Sequence, residues 1–500
     1  MHELGTVIST FDGPSTASFS FVITSKGVRK GQFVQTQTED GLLLACVTDI
    51  TRANRYFERA ESVAEYERGA PLRLNFPVTE WEYAVANARA LGVVNGSTIG
   101  RPLFPAAPGA KVLSADEGLL RDFLGFEEGG LNIGQLEHHT ISACLRLDAF
   151  LQKHLAILGI SGSGKSYATS VVIEELLERK PEAGRPAVIV VDVHGEYTGF
   201  KSGDYAARTT VIDGKDIRIA LHRLAPASLA EFLPELSRSQ RRSLIAIVSE
   251  LKRRKKANGE AYGLDDVMAA ISASDEDRKT KASLIAWLAE LQSLKLFGKA
   301  DKPSLDELAQ PGRLCVLDLS PIDNQKKKQL IVAHFARRLF KARKKEKIPP
   351  FVLFIEEAHN FAPEKTAQSE ALSRGPIITI AREGRKFGAS LVLISQRPKH
   401  LSTTALSQCN SHLILRVTNP YDIQHIGESC EGIDKAMLDA ITTLRTGEAL
   451  LVGEAVSQPV FIRIRQRRSK ASSRGESFSL LAKNFEAAQA KRKQDVEAFL

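Results

Sequence analysis

Residues 159–166 read GISGSGKS, directly after the apolar HLAIL and directly before YATSVVIEELLE. The spacing G-x-x-x-x-G-K-[ST] between a strand-like run and a helix-like run is the pattern of a phosphate cradle. Glycines at 159, 162 and 164 let backbone N–H groups close around phosphate oxygens, and a helix N-terminus adds partial positive charge. Lys165 would bridge the terminal phosphates and Ser166 would offer its hydroxyl to magnesium. Gly159, Ile160, Ser161, Gly162, Ser163, Gly164, Lys165, Ser166 and the adjoining Tyr167 are therefore the candidate nucleotide-binding residues. ATP and Mg2+ are the expected cofactors. A purely structural glycine turn would leave the Lys-Ser pair without a purpose.

Such a cradle needs acid nearby, to complete the metal shell and to orient water. FVLFIEEAHN supplies a candidate: an apolar strand closed by Glu356 and Glu357, at what should be the carboxyl edge of a sheet. Glu356 stands where a second magnesium ligand is expected, and Glu357 is the candidate base. VIVVDVHGEY ends another apolar run in Asp192, which either reaches the magnesium shell and its water or caps the turn that follows. LVLISQRP ends in Gln396, a polar amide suited to sensing the terminal phosphate, or else a surface amide. SRGPIITIAREGRKFG sets Arg374, Arg382 and Arg385 on or beside a helix. A guanidinium from a neighbouring subunit, aimed at the terminal phosphate, would stabilise transition-state charge, which requires a ring.

The elements that must position these groups fall into two grammars. Up to about residue 111 the runs GTVIST, ASFSFVI, GQFVQTQ and GLLLACVTDI are short, alternating or β-branched, and broken by Gly, Asp and Pro. They predict a small antiparallel barrel or sandwich. From residue 151 onward HLAILG, PAVIVVDV, RLCVLDL, FVLFIEE, GASLVLIS and SHLILRV are continuous apolar runs separated by helical sequence. Strands buried on both faces read this way, so an α/β, doubly wound, mainly parallel sheet is expected. Helical spacing at Leu229, Phe232, Leu233 and Leu236, and again at Leu244, Ile247, Val248 and Leu251, predicts a helical insertion.

The expected organisation is thus a β-barrel over 1–113, a connecting helix and linker over 114–150, and an ATPase core over 151–225 and 311–466. The insertion occupies 226–310 and a tail helix 467–500. Within the tail, Phe478, Leu481, Phe485 and Ala488 form an apolar stripe fit to pack on a neighbour, after RRSKASSRGES, which reads as a flexible joint.

The 500 residues suit two or three domains, and 43% hydrophobic with 25% charged residues excludes wholesale disorder. The net charge of +9 is concentrated in runs such as KRRKK, KKK, RKKEK and RIRQRR, which permits a polyanionic partner as well as plain solvated helix faces. Five scattered cysteines without C-x-x-C spacing suit a reducing compartment. The start MHELGTVIST carries neither a basic leader nor an apolar core, and no run of 18 apolar residues occurs. A cytoplasmic protein without a membrane anchor is expected.

Taken in order, an N-terminal barrel, GISGSGKS, DVHGEY, a helical insertion, IEEAHNF, AREGRKFG and SQRP resemble the HerA branch of the HerA/FtsK superfamily of RecA-like ATPases. The resemblance covers most of the chain. It implies a hexameric, ATP-driven translocase or helicase on double-stranded DNA that acts with a NurA-type nuclease in end resection and recombinational repair. It further implies that Lys165 and Ser166 bind nucleotide and magnesium, that Glu357 is the acid of catalysis, that Arg382 is the trans-acting finger with Arg385 as fallback, and that Gln396 is the sensor. Relatives often carry an Arg-His pair at the start of the cradle strand where this chain has Lys153 and His154; Lys presents a point charge rather than a planar fork, so the resemblance leaves the role of Lys153 open. The rival readings are a DNA- or protein-secretion ATPase of the same superfamily, a nucleotide-gated DNA clamp without motor activity, and a pure binding module built on the barrel.

Overall fold

Strands β1 (Glu3–Ile8), β2 (Ser18–Ile23), β3 (Phe33–Thr38), β4 (Gly41–Asn54), β5 (Glu82–Asn95), β6 (Thr98–Gly100) and β7 (Lys111–Ser114) pair antiparallel in the order β2-β1-β7-β3-β4-β5-β6. A further ladder between β2 and β5 closes six of them into a barrel, which decides between barrel and sandwich. The computed structural model describes residues 2–10, 13–54, 57–58, 60–69, 81–96, 98–365, 371–472 and 478–497. Alternation drives the closure: Phe19, Phe21, Val34, Leu43, Ala45, Ala86, Ala88 and Val112 all turn inward and are buried together. Helix α1 (Ala60–Gly69) lies between β4 and β5 in the chain. Helix α2 (Glu117–Leu124) follows β7, started by Asp116 accepting the Leu119 N–H and ended by Gly125 at φ 78°.

The chain divides into two compact units, Met1–Leu145 with Val456–Arg463, and Arg146–Ala455 with Ile464–Leu500. Besides the barrel, the first unit holds β8 (Leu131–Leu136) and β9 (Ser142–Leu145).

In the second unit the strands are β10 (Leu155–Leu158), β11 (Ala187–Asp192), β12 (Thr209–Asp213), β13 (Ile219–Ala220), β14 (Phe297–Gly298), β15 (Leu314–Asp318), β16 (Phe351–Ile355), β17 (Ala389–Ser395), β18 (Ser411–Ile414) and β19 (Glu448–Gly453). The main sheet runs β12-β15-β11-β16-β17-β10-β18-β19, parallel throughout except that β19 is antiparallel to β18. Every residue of β10, β11, β15, β16 and β17 is buried, the signature of a sheet covered on both faces. Helix α3 (Lys165–Glu178) leaves the cradle, and β13 and β14 form a separate two-stranded ribbon.

The insertion holds α4 (Pro226–Glu231), α5 (Arg238–Ala257), α6 (Leu264–Ser272), α7 (Arg278–Ser293) and α8 (Leu305–Leu308). The expected helical run Leu229 to Leu236 is cut short: α4 ends at Glu231, with Phe232 as its cap, because Pro234 has no N–H and disfavours helix in the residue before it. Leu229, Phe232, Leu233 and Leu236 are nonetheless all buried. The remaining helices are α9 (Gln325–Lys344), α10 (Ala358–Phe361), α11 (Arg374–Glu383), α12 (Thr403–Leu406), α13 (Pro420–Ser429), α14 (Lys435–Thr443) and α15 (Phe478–Glu497). In α15, Phe485 is 69% exposed and Ala488 is exposed, so this part of the apolar stripe is not buried among the described residues. The side chains of Phe478 and Leu481 lie outside the described residues. Among the described residues no helix is long and apolar enough to cross a membrane.

Candidate active site

Strand β10 lies between β17 and β18, and the strands' carboxyl ends open a crevice there. The turn from β10 into α3 is compact because Gly159 has no side chain: a Cβ there would meet Ser163 Oγ at 2.6 Å and the Leu415 Cβ at 3.0 Å. Gly164 stands at φ 101° as the residue before α3, a conformation that only glycine adopts freely. Lys165 is the first helical residue, and its Nζ donates to Ile160 O at 2.9 Å, back across the loop. Burial pushes the Lys165 ammonium below its usual range, opposed by the carboxylates of Glu357, Glu196 and Glu356. A buried cation facing three acids across an open loop of glycines fits the phosphates of a nucleotide.

The crevice contains a cavity of about 470 Å³. Ser161, Gly162, Gly164, Lys165, Ser166 and Tyr167 line one side. His194, Glu196, Glu356, Glu357, Ile394 and Gln396 line the other, so most of the candidate residues converge. Gly159, Ile160 and Ser163 sit within the loop itself, where Ser163 Oγ donates to Ile160 O at 2.8 Å.

Glu357 adopts φ 48° and ψ 46°, a left-handed conformation costing of order 1–2 kcal/mol for a residue with a Cβ. Its Oε2 is buried without a hydrogen-bond partner, while His359 Nδ1 lies 3.3 Å away and also 3.1 Å from Ser395 Oγ. Burial raises the Glu357 carboxyl above its ordinary range, and Lys165 and His194 oppose the rise. His359 is held down at about 4, chiefly by burial, so it is neutral at physiological pH. A strained carboxylate at a cavity, with one buried oxygen that makes no hydrogen bond among the described residues, suits a proton acceptor.

Glu356 lines the cavity and is at the same time tied to the loop after β11. Its Oε2 accepts the N–H groups of Val193 at 2.8 Å and His194 at 3.2 Å, bracing the loop after β11. Burial, then the nearby Asp192 and Glu196, push its carboxyl well above the usual range. The acid in hydrogen-bond contact with Ser166 Oγ is Glu196, an acid within DVHGEY that carries no site signal of its own in the sequence. A serine hydroxyl beside a carboxylate is the donor pair a hard divalent cation takes, with other positions left to water and phosphate oxygens.

Asp192 resolves in favour of the turn. Its Oδ1 accepts from Gly195 N at 2.7 Å and Glu196 N at 3.0 Å, and its Oδ2 from Tyr197 N at 3.0 Å, with Asp192 itself fully buried. It shapes the loop that presents His194 and Glu196 and does not line the cavity. Arg382 and Arg385 are exposed and outside this cavity.

Lys153 is ion-paired with Glu454, before the start of β10 and so at the opposite end of that strand from the cradle. His154, at φ 67°, accepts the Leu391 N–H on Nδ1 at 3.0 Å and donates from Nε2 to Ala381 O at 2.9 Å. Burial holds it near 4, so it is a neutral structural imidazole.

The stretch from Arg467 to Ser477, expected as a flexible joint, is in part a clasp that begins just before it, at Arg465. Buried Glu174 of α3 accepts from Arg465 at 2.8 Å, from Arg468 N at 3.0 Å and from Ser469 N at 2.7 Å. The Arg467 N–H reaches Tyr167 Oη at 2.6 Å. A buried carboxylate in an otherwise apolar helix face demands such donors, which is why the stretch is held. Residues 473–477 lie outside the described residues.

Comparison with known proteins agrees with this geometry. Residues 131–339 match the family described as the helicase HerA central domain, DUF87. The chain is 28% identical, over 93% of its length and 94% of the relative's, to the DNA double-strand break repair helicase HerA of Pyrococcus furiosus. It is 27% identical to the protein of the same description from Sulfurisphaera tokodaii, over 92% of each. Among solved structures, VirB4 of Thermoanaerobacter pseudethanolicus superposes with a TM-score of 0.54 at 16% identity, covering 68% of this chain and 98% of that one, a likeness of fold.

Proposed function

We propose, from the premise that this chain belongs to the HerA family of RecA-like P-loop ATPases, that it is an ATP-hydrolysing helicase and translocase on double-stranded DNA in the repair of broken ends. The observation that carries this is the convergence of Lys165, Ser166, Glu357 and Gln396 on one cavity at the carboxyl edge of the sheet. When bound, ATP supplies the phosphoanhydride to be cleaved and Mg2+ withdraws charge from its oxygens.

Within that reading each side chain has one task. The loop N–H groups and Lys165 Nζ hold the terminal phosphates, and Ser166 with Glu196 and Glu356 would hold the ion. Glu357 Oε2 orients a water and takes its proton. Gln396 contacts the terminal phosphate by its amide, and Tyr167 borders the nucleotide. Arg382, or failing it Arg385, serves the cavity of an adjoining subunit, so the active form is a homo-oligomeric ring, hexameric as in the family. Basic side chains grip the phosphate backbone of DNA without reading its bases. The barrel over 1–113 acts as a platform for a NurA-type nuclease, a role suited to the exposed Trp81, Tyr83, Ile99 and Leu103. The core segments 151–225 and 311–466, the insertion 226–310, the linker 114–150 and the tail 467–500 complete the organisation we infer, in a cytoplasmic protein.

The test is Lys165→Ala, which should abolish DNA-stimulated ATP hydrolysis while leaving assembly intact. Stimulated hydrolysis by that variant would overturn the reading. Mixing Arg382→Ala with Glu357→Gln subunits should restore part of the activity at mixed interfaces, whereas inactivity of every mixture would place the finger's action within its own subunit.

A further inference from the structure

A second cavity, of about 400 Å³, lies away from the nucleotide crevice, where the insertion meets helices α9 and α11. Its wall carries three guanidinium groups: Arg241 from α5, Arg337 from α9 and Arg374 from the first turn of α11. Among the described residues its only carboxylate is Glu231, which pairs with Arg337. Three positive charges against one negative leave a net charge of two in the wall. Arginine does not shed its proton, so that charge cannot be relieved by titration.

The pairing is also incomplete at the level of atoms. One terminal nitrogen of Arg337, Nη1, and Nε of Arg374 are buried and make no hydrogen bond among the described residues. Buried polar donors are ordinarily satisfied, and cationic ones more stringently still. At the same corner the N-terminus of α11 has no side-chain cap, and a Cβ on Gly375 would meet nothing within 4 Å. The cavity is far larger than a single water needs and within the range of small-ligand pockets.

We propose that this cavity is a second anion site, one that takes a phosphate group. Guanidinium forks match phosphate oxygens in pairs, and a tetrahedral anion of one to two negative charges complements the wall. Bound there, the phosphate ties α5 of the insertion to α9 and α11 of the core. Helix α11 is also the helix that carries Arg382, so occupancy stiffens the base of the proposed finger. The phosphate comes from a free nucleotide or from the backbone of a DNA strand. The site needs no hydrolysis to be occupied, so it stands or falls separately from the motor reading.

The experiment uses the full chain carrying Lys165→Ala, so that the cradle's contribution is weakened and is the same with and without the second-site substitutions. Binding of inorganic phosphate, of ATP and of a short DNA duplex is measured by equilibrium dialysis, with and without Arg241→Gln and Arg374→Gln together. The expected result is a loss of affinity of about tenfold or more in the double variant for at least one of the three. A loss for phosphate and ATP identifies a free ligand, and a loss for the duplex alone identifies the backbone. Unchanged affinity for all three, or no binding in the parent, overturns the proposal. Should the double variant not fold, Arg374→Lys keeps the charge but not the fork and should weaken binding several-fold; unchanged binding there overturns it equally.

Discussion

The barrel and the parallel sheet use β-structure in opposite ways. In the barrel, closure through β2 and β5 joins the two sides of the six-stranded cylinder, and alternation sends one residue in two to the core. In the sheet every residue of the central strands is buried, and the chemistry is pushed to where strands stop. Among the described residues, the carboxyls raised above their ordinary range are Asp192, Glu356 and Glu357, all at or just past the ends of β11 and β16. A closed barrel spends its residues on enclosure; an open parallel sheet leaves a crevice where unsatisfied groups can be held.

This contrast can be broken most decisively at Glu357. Glu357→Gln should lower ATP turnover by about 10²–10⁴-fold while nucleotide binding persists, since only the proton acceptor is removed. Near-normal turnover in single-turnover kinetics would move the chemistry elsewhere. In the barrel the largest effect should be on folding: Phe21→Ala, fully buried, should cost about 3–5 kcal/mol by denaturant titration. Basal ATP hydrolysis per folded molecule should be retained, and its parallel loss would mean that the two units do not separate as drawn.

A third test concerns acid. His412, on β18, is held near 4 by burial alone, below its unfolded value of 6.5. Between those values the unfolded chain binds the proton and the folded chain does not, so stability falls as pH drops from about 6.5 to 4. The span corresponds to about 3 kcal/mol. His412→Leu should lessen the slope of that limb of a pH-dependent melting curve by one group's share, since the buried His154 and His359 act over the same range, and an unchanged slope would remove His412 as a contributor. The smallest effect is expected on the barrel surface, where the exposed Glu3–Lys111 pair spans β1 and β7 at 2.7 Å. Glu3→Gln should change stability by less than about 1 kcal/mol, and a larger change would mean that this rung closes the barrel.

Much of this was legible because periodicity and strand ends are local signals. The six apolar runs from HLAILG to SHLILRV became sheet strands, and GISGSGKS, Glu357 and Gln396 met in one cavity. What escaped was decided by contacts across the chain. Asp192 and Glu356 are both acids at strand ends, and only the direction of neighbouring backbone N–H groups shows that they brace a loop. Glu196 was visible as an acid two residues beyond His194, but its approach to Ser166 depends on how the loop after β11 reaches the cradle. His359 was likewise visible in IEEAHNF without any local sign that it faces Ser395. Pro234 was a local signal that should have shortened the helix from Leu229.

The left-handed backbone at Glu357 carries a consequence for how such a protein changes over generations. Glycine would sit there without strain and would also lift a buried carboxyl out of its poor surroundings, so Glu357→Gly should melt later than the parent while turning over nothing. Selection for heat survival alone would therefore erode this position. Wherever the glutamate persists under such pressure, retention is a record of work demanded from the molecule.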